Sequence, residues 1–166
     1  MSLNLLKRYN DLLDLAGLNP INRTNSLKGI FKRDIEDNPR LQFQGKAIKP
    51  TSMDGEIPME TLFTHLTTEV VEKRIRVRKF EYHRSERLHW VKHHIDERKK
   101  DDMLVFSCKD KNGTRTYLYD KTELYVIVLE PLKNKDAYFL LTAYYLRGRN
   151  KFKIEKKFKR RLDELL

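Results

Sequence analysis

The apolar positions along the chain follow a helical period in the first hundred residues and a period of two afterwards. From Leu3 to Ala16, Leu5, Leu6, Tyr9, Leu12, Leu13 and Ala16 recur at the spacing of one helix face, and Gly17 with Asn19-Pro20 supplies a stop, so a helix is expected there. Residues 20–60 are punctuated by Pro20, Gly29, Asn38-Pro39, Gly45, Pro50, Gly55 and Pro58. They read as loops, a short helix around Leu27 to Ile35, and an edge strand near Leu41, Phe43 and Ala47. Met59 to Val71 places Leu62, Phe63, Leu66 and Val70 at helical spacing behind Pro58, which suits a first turn. Lys73 to Lys79 alternates charge with Ile75 and Val77 and reads as a strand or an extended connection. Tyr82 to Lys99 predicts a helix with Leu88, Val91 and Ile95 on one stripe, and Ser85, Glu86, His89, Lys92, His93 and Glu97 facing elsewhere. Arg84 falls inside that apolar stripe and Arg87 at its edge.

After Asp101-Asp102 four runs rich in β-branched and aromatic residues follow: Met103 to Ser107, Thr114 to Tyr119, Leu124 to Leu129 and Tyr138 to Leu146. Turn groups at 109–113, 120–121 and 131–136 separate them, so they predict a four-stranded antiparallel meander. Strands gathered after helices argue for an α+β fold, with N-terminal helices packed on that four-stranded antiparallel sheet. Residues 1–58 are expected to form a helix- and loop-rich cap on an α+β core spanning 59–166, within one compact domain. Lys151 to Leu166 carries Ile154, Phe158, Leu162 and Leu165 on one helical side, as a docked helix or a basic arm.

Charge sharpens this picture. The chain of 166 residues carries a net charge of +11, and it is concentrated. Glu72 to Lys100 has a net +6 and Arg147 to Arg161 a net +8, leaving the remainder at −3. Concentrated positive charge is the footprint of a polyanion binder. Its expected carriers are Lys73, Arg74, Arg76, Arg78, Arg147, Arg149, Lys151 and Lys153. The single cysteine, Cys108, cannot form an intramolecular disulfide and is expected as a buried thiol in a reducing compartment, so the cytoplasm is the expected location. Lys7, Arg8 and Asp11 interrupt any apolar leader, and the longest apolar runs fall far short of the roughly 20 residues of a membrane span, so no membrane partner is expected.

Phosphate-binding glycine loops, HExxH and CxxC are missing, and neither a cofactor nor a metal is expected. His89 and His93 have the i, i+4 spacing of helical metal ligands, with His94 adjoining, but no third ligand is signposted and a polar stripe is the expected role. What remains is cations, hydroxyls, imidazoles and aromatics, the materials of metal-independent RNA cleavage. That reaction needs a proton acceptor for the ribose 2′-hydroxyl, a donor for the leaving 5′ oxygen, and cations for the phosphorane. Arg84 and Arg87 are the candidate phosphate ligands, although a structural pairing with Glu81 or Glu60 would equally satisfy them. His65 and His83 are the candidate proton carriers. In Tyr138 to Leu146, strict alternation puts Phe139, Leu141, Ala143 and Tyr145 toward the helices. Thr142 and Tyr144 then lie on the open face, to bind phosphate and stack on a base or simply to pack.

The order RxxRxxW at Arg84, Arg87 and Trp90, a strand at Leu124 to Leu129, and Thr142-Ala143-Tyr144-Tyr145 resembles the phage-associated nucleases of the barnase, EndoU, colicin and RelE-like superfamily. The resemblance spans roughly Leu62 to Arg161. It implies a helical part on a four-stranded antiparallel sheet that handles RNA without metal, and a toxin or phage effector. The expected activity is therefore endoribonucleolytic transphosphorylation, with Arg84 and Arg87 on the phosphate, Thr142 and Tyr144 or Tyr145 shaping the site, and His65 or His83 moving protons. The expected partners are RNA, tRNA among the targets, and a cognate antitoxin or immunity protein. The alternative is a non-catalytic nucleic-acid-binding protein of phage origin.

Overall fold

The computed structural model describes residues 3–9, 11–51, 55–97, 101–134 and 136–166. Its first segment departs from the expected helix. Only Leu3–Leu6 form a 3-10 turn, and residues 11–19 run without regular helix. The apolar face is split, because Leu13 and Leu15 are buried while Leu5, Leu6 and Leu12 are exposed. Partners outside a helical register take the backbone groups that a helix would have paired internally. Asn4 Nδ2 donates to the Asp14 carbonyl, Trp90 Nε1 donates to that of Asp11, and the Leu13 amide donates to the Glu86 carbonyl. Asn10 lies outside the described residues.

Helix α1, Pro20–Phe31, begins where the Asn19 side chain accepts from the Asn22 amide and Pro20 sets the first turn. It runs on through a π turn, Lys32–Glu36, so it is longer than the helix expected around Leu27 to Ile35. Strands β1, Gln42–Phe43, and β2, Lys46–Pro50, form a hairpin through Gln44 and Gly45, both at positive φ. Helix α2, Pro58–Thr67, stops short of Val71, and residues Thr68–Glu72 turn into β3, which pairs with β4, Val77–Phe80. At the junction the Thr67 and Thr68 hydroxyls donate back to the Phe63 and Thr64 carbonyls. The helix expected over Tyr82 to Lys99 is broken into α3, Tyr82–Ser85, and α4, Trp90–Ile95. The Leu13 amide occupies the Glu86 carbonyl that Trp90 would have used, and the Trp90 amide bonds the Arg87 carbonyl instead. Residues 98–100, the end of that expected helix and of the first basic segment, lie outside the described residues.

The meander is present as β5, Met103–Asp110, β6, Gly113–Asp120, β7, Tyr125–Pro131, and β8, Ala137–Tyr145. It is not the whole sheet, however, and the expected four-stranded antiparallel arrangement is overturned. Strand β2 pairs in parallel with β8, aligning Ala47 with Ala137 and Ile48 with Tyr138, so the sheet is six-stranded and mixed, in the order β1-β2-β8-β7-β6-β5. A second sheet contains β3 and β4. The α+β class stands, and the edge strand expected near Leu41, Phe43 and Ala47 is the β1–β2 hairpin, but β2 lies inside the sheet and its pairing with β8, far along the chain, has no signal in its own short apolar pattern.

Helices also cover both faces of the large sheet, not one. On one face Leu13, Phe31, Leu62, Leu88, Trp90 and Ile95 pack on Tyr125, Ile127, Leu129, Tyr138 and Leu140, joining residues from both ends of the chain in one core. On the other, helix α5, Asn150–Lys159, docks Ile154 and Phe158 against Phe106, Tyr117, Tyr119 and Val126, so the C-terminal segment is a docked helix. Residues beyond α5 run along edge strand β5, where the Leu162 amide donates to the Ser107 carbonyl. Cys108 is buried in this second core. Among the described residues, no helix is long and apolar enough to cross a membrane.

Candidate nucleic-acid cleft

The end of α2 determines where the cleft forms. A helix leaves its last carbonyls without internal partners, and here the His65 carbonyl, together with that of Thr68 just beyond the helix, points at α3. Glu81 caps α3, accepting from the His83 and Arg84 amides, and this orients Arg84 back over α2. Arg84 Nη1 then donates to the His65 and Thr68 carbonyls at 2.8 Å each and lies 3.3 Å from Thr142 Oγ1. Its guanidinium carbon sits 5.7 Å from the Tyr144 ring centroid. Among the described residues no carboxylate pairs with this cation within 4 Å, so neither of the expected ion pairs forms: Glu81 bonds the Arg84 backbone instead. Arg84 Nε is buried without a partner.

Around Arg84 the chain gathers His65, Arg78, Thr142, Tyr144 and Glu69 in a cleft of about 340 Å³. Thr142 Oγ1 also donates to the His65 carbonyl, and Arg78 Nε donates to Thr68 Oγ1 at 2.8 Å. His65 and Arg78 are shared with a larger groove of about 860 Å³ between α2 and the β3–β4 hairpin. There Lys73, Arg76 and Arg78 form one wall and Glu56 and Glu60 stand on the lining opposite in charge. Burial lowers the His65 pKa below its ordinary value, the neighbouring Arg78 and Arg84 cations push the same way, and a hydrogen bond to the Leu141 backbone opposes them. The imidazole is therefore neutral at pH 7. Burial raises the Tyr144 hydroxyl, which stays protonated.

The remaining expected catalytic residues go elsewhere. Arg87 Nη1 donates to the His83 carbonyl and to Glu86 Oε1 at 2.7 Å, while its guanidinium carbon lies 4.1 Å from the Tyr145 ring centroid. His83 Nδ1 is 3.3 Å from the same Glu86 oxygen, and its ring is 5.7 Å from that of Tyr145. His83, Glu86, Arg87 and Tyr145 thus form a second, largely self-satisfied cluster. The two arginines diverge because α3 ends at Ser85, which removes the common stripe that helical spacing implied.

Strand β8 also departs from strict alternation. The pairing steps from Val128–Thr142 to Leu129–Leu140 and leaves Leu141 as the extra residue of a β-bulge. Tyr138 and Leu140 therefore join Ala143 in the helix-side core, and Leu141 and Tyr144 pack toward α5.

Of the expected surface cations, Lys73, Arg76 and Arg78 line the groove, and Arg74 is exposed in the turn between β3 and β4. Arg147 Nη2 lies 3.3 Å from Glu81 and 3.9 Å from Glu69, which ties the segment after β8 to the cleft rim. Arg149, Lys151 and Lys153 are exposed at the start of α5, a helix on the opposite face of the sheet from α2. Sequence reasoning missed the rim role of Glu69 and Glu81, which no motif signals. The three histidines of α4 and its approach are engaged in packing. His89 Nε2 meets the Arg8 carbonyl, His93 stacks on Tyr9, and His94 bridges the Trp90 carbonyl and Asp120. Among the described residues no group of three or more His, Cys, Asp or Glu is placed to hold a metal ion. No family model, no curated protein and no solved structure matches the chain.

Proposed function

We propose that the protein binds RNA along the cationic groove and cleaves it in the cleft by metal-independent transphosphorylation. The observation that carries this reading is the convergence of His65, Arg78, Arg84 and Thr142 on one cleft that opens into a groove lined by Lys73 and Arg76. Arg78 and Arg84 supply positive charge for the phosphorane, and the Thr142 hydroxyl, turned from the His65 carbonyl to the substrate, positions a non-bridging oxygen. Neutral His65 takes the proton of the attacking 2′-hydroxyl and returns it to the departing 5′ oxygen, leaving a 2′,3′-cyclic phosphate and a 5′-hydroxyl. The reading rests on this cleft and not on the superfamily architecture, whose sheet differs from this one. It makes the chain a toxin or phage effector acting on cytoplasmic RNA, tRNA among the targets, and held in check by a cognate antitoxin or immunity protein.

Incubation of purified protein with total RNA in chelator is expected to yield cyclic-phosphate ends, and His65→Ala to slow the reaction by about a hundredfold or more. Because burial lowers the His65 pKa, and the base must be neutral, the rate should rise with pH through a midpoint below 6.5 and be level at neutrality. Undiminished cleavage by His65→Ala would remove the mechanism. A second reading has its own support: Arg84 Nη1 already spends its hydrogens on α2 carbonyls, which suits a holding role in a non-catalytic RNA-binding protein. Such a protein would protect RNA, and its His65→Ala variant would behave as wild type.

A further inference from the structure

The β3–β4 hairpin stands apart from the large sheet, and residues 70–77 along it are all exposed. Two features of its tip work against the fold. Ile75 has 71% of its surface exposed, so the fold gains little from burying it. Arg76 adopts φ 52°, a left-handed conformation that Gly, Asn or Asp would take at lower cost. Neither choice helps the hairpin to close, so both point to something outside the chain.

Resting on the RNA reading above, we propose that this hairpin docks a base-paired RNA stem, seating its tip in the wide, shallow minor groove while the cleft behind it holds the adjoining strand. Charge complementarity names the occupant. The hairpin carries Lys73, Arg74, Arg76, Arg78 and Lys79 against Glu69 and Glu72. Both carboxylates have other work: Glu72 accepts from the Arg74 amide, and Glu69 faces Arg147. Apolar wedges beside arginines enter the minor groove of DNA, and the wider, shallower minor groove of A-form RNA is open to the same side chains. Single-strand binding needs exposed aromatic platforms, and the tip has none. Phe80, at the hairpin's base, is covered by the Arg23 guanidinium, whose central carbon is 3.6 Å from the ring centroid. In the A-form minor groove the 2′-hydroxyls and phosphates lie within reach of Arg74 and Arg76, and the shallow floor accepts Ile75.

Fluorescence anisotropy in the His65→Ala background, with a stem-loop RNA and an unstructured RNA of equal length, tests this directly. Ile75→Ser and Arg74→Ala, both at exposed positions outside the cleft, are expected to weaken stem-loop binding by about tenfold each. Binding of the unstructured RNA should stay within about twofold, and Arg74→Ala should lower the salt slope for the stem-loop by about one. Equal losses on both RNAs, no loss on either, or a duplex DNA that competes as well as the RNA stem would overturn the proposal. Because binding and not cleavage is read, a protein that proves unable to cut RNA refutes the catalytic reading while leaving this contrast intact.

Discussion

With two carbonyls at the end of α2 and the Thr142 hydroxyl on Nη1, the Arg84 guanidinium adds charge-assisted bonds to carbonyls that Thr142 Oγ1 and Arg78 Nη2 also reach. A cation at a helix C-terminus is also favoured by the helix dipole. Burial pulls its pKa down, and Glu81 opposes, but a guanidinium stays charged at any working pH. Removing it takes the charged donor from each carbonyl and leaves them to Thr142 Oγ1 and Arg78 Nη2, and a hydrogen bond to a charged group is worth about 1.5–3 kcal/mol. Arg84→Ala should therefore lower unfolding free energy by roughly 2–4 kcal/mol in urea titration, and Arg84→Lys should recover part of it. A loss under about 0.5 kcal/mol would show that water replaces the guanidinium and that holding α2 is not its role. The same titration guards the cleavage assay, because an Arg84 variant that loses activity through unfolding says nothing of phosphate. His65→Ala, at a half-buried position whose ring meets the Leu141 backbone, is the cleaner probe of chemistry.

At the level of elements, α5 is held to the sheet by more than Ile154 and Phe158. Asp110, at the end of β5, receives Lys157 Nζ at 2.5 Å and the Tyr117 hydroxyl. Burial raises the Asp110 pKa, but the Lys157 and Tyr117 hydrogen bonds outweigh it and hold the carboxylate below its ordinary value. A carboxylate with a depressed folded pKa contributes stability above its unfolded pKa, near 3.9, and loses that contribution as pH falls through the folded value. Asp110→Asn should therefore flatten the stability profile below about pH 4 and speed tryptic cutting at Lys156 and Lys159 at neutral pH; an unchanged acid limb would place the anchor elsewhere. Elements with a strong local pattern were legible in the sequence. The four strands of the meander lie where runs of β-branched and aromatic residues alternate with turn groups, and α2 begins at Pro58 as expected. Elements decided by distant partners were not: β2 is named by Ala137 to Leu140, and the break before α4 by Leu13 reaching Glu86. The cleft was legible in kind, as an arginine and a Thr-Tyr strand beside a histidine. The pairing of Arg84 with Arg87 was not, because α3 ends at Ser85, between them, and the Arg87 amide turns to the Arg84 carbonyl.

Across the whole molecule the first 58 residues do not sit beside the core but inside it. Leu13, Leu15, Leu27, Ile30, Phe31 and Phe43 share one cluster with Trp90, Tyr125 and Leu140. Trp90 joins the two parts. It is buried against Tyr9 and Tyr125 with ring centroids 5.3 and 5.5 Å away, and its indole nitrogen donates to the Asp11 carbonyl. Tyr9 in turn donates to Asp120, which also faces His94. Without residues 1–58 the sheet face under α4 would open a large apolar surface to water, at about 25 cal/mol per Å², and would lose strand β2 from the edge of β8. A chain of residues 59–166 alone should therefore lack a cooperative thermal transition and bind a hydrophobic dye. Trp90→Ala in the full chain should cost about 3–5 kcal/mol and expose the Leu13 amide to rapid hydrogen exchange, because the loop that carries it loses its anchor. A 59–166 chain that melts cooperatively would instead make the N-terminal residues a separable cap. Retained protection at Leu13 in Trp90→Ala would move the anchor from the indole to the bond with Glu86.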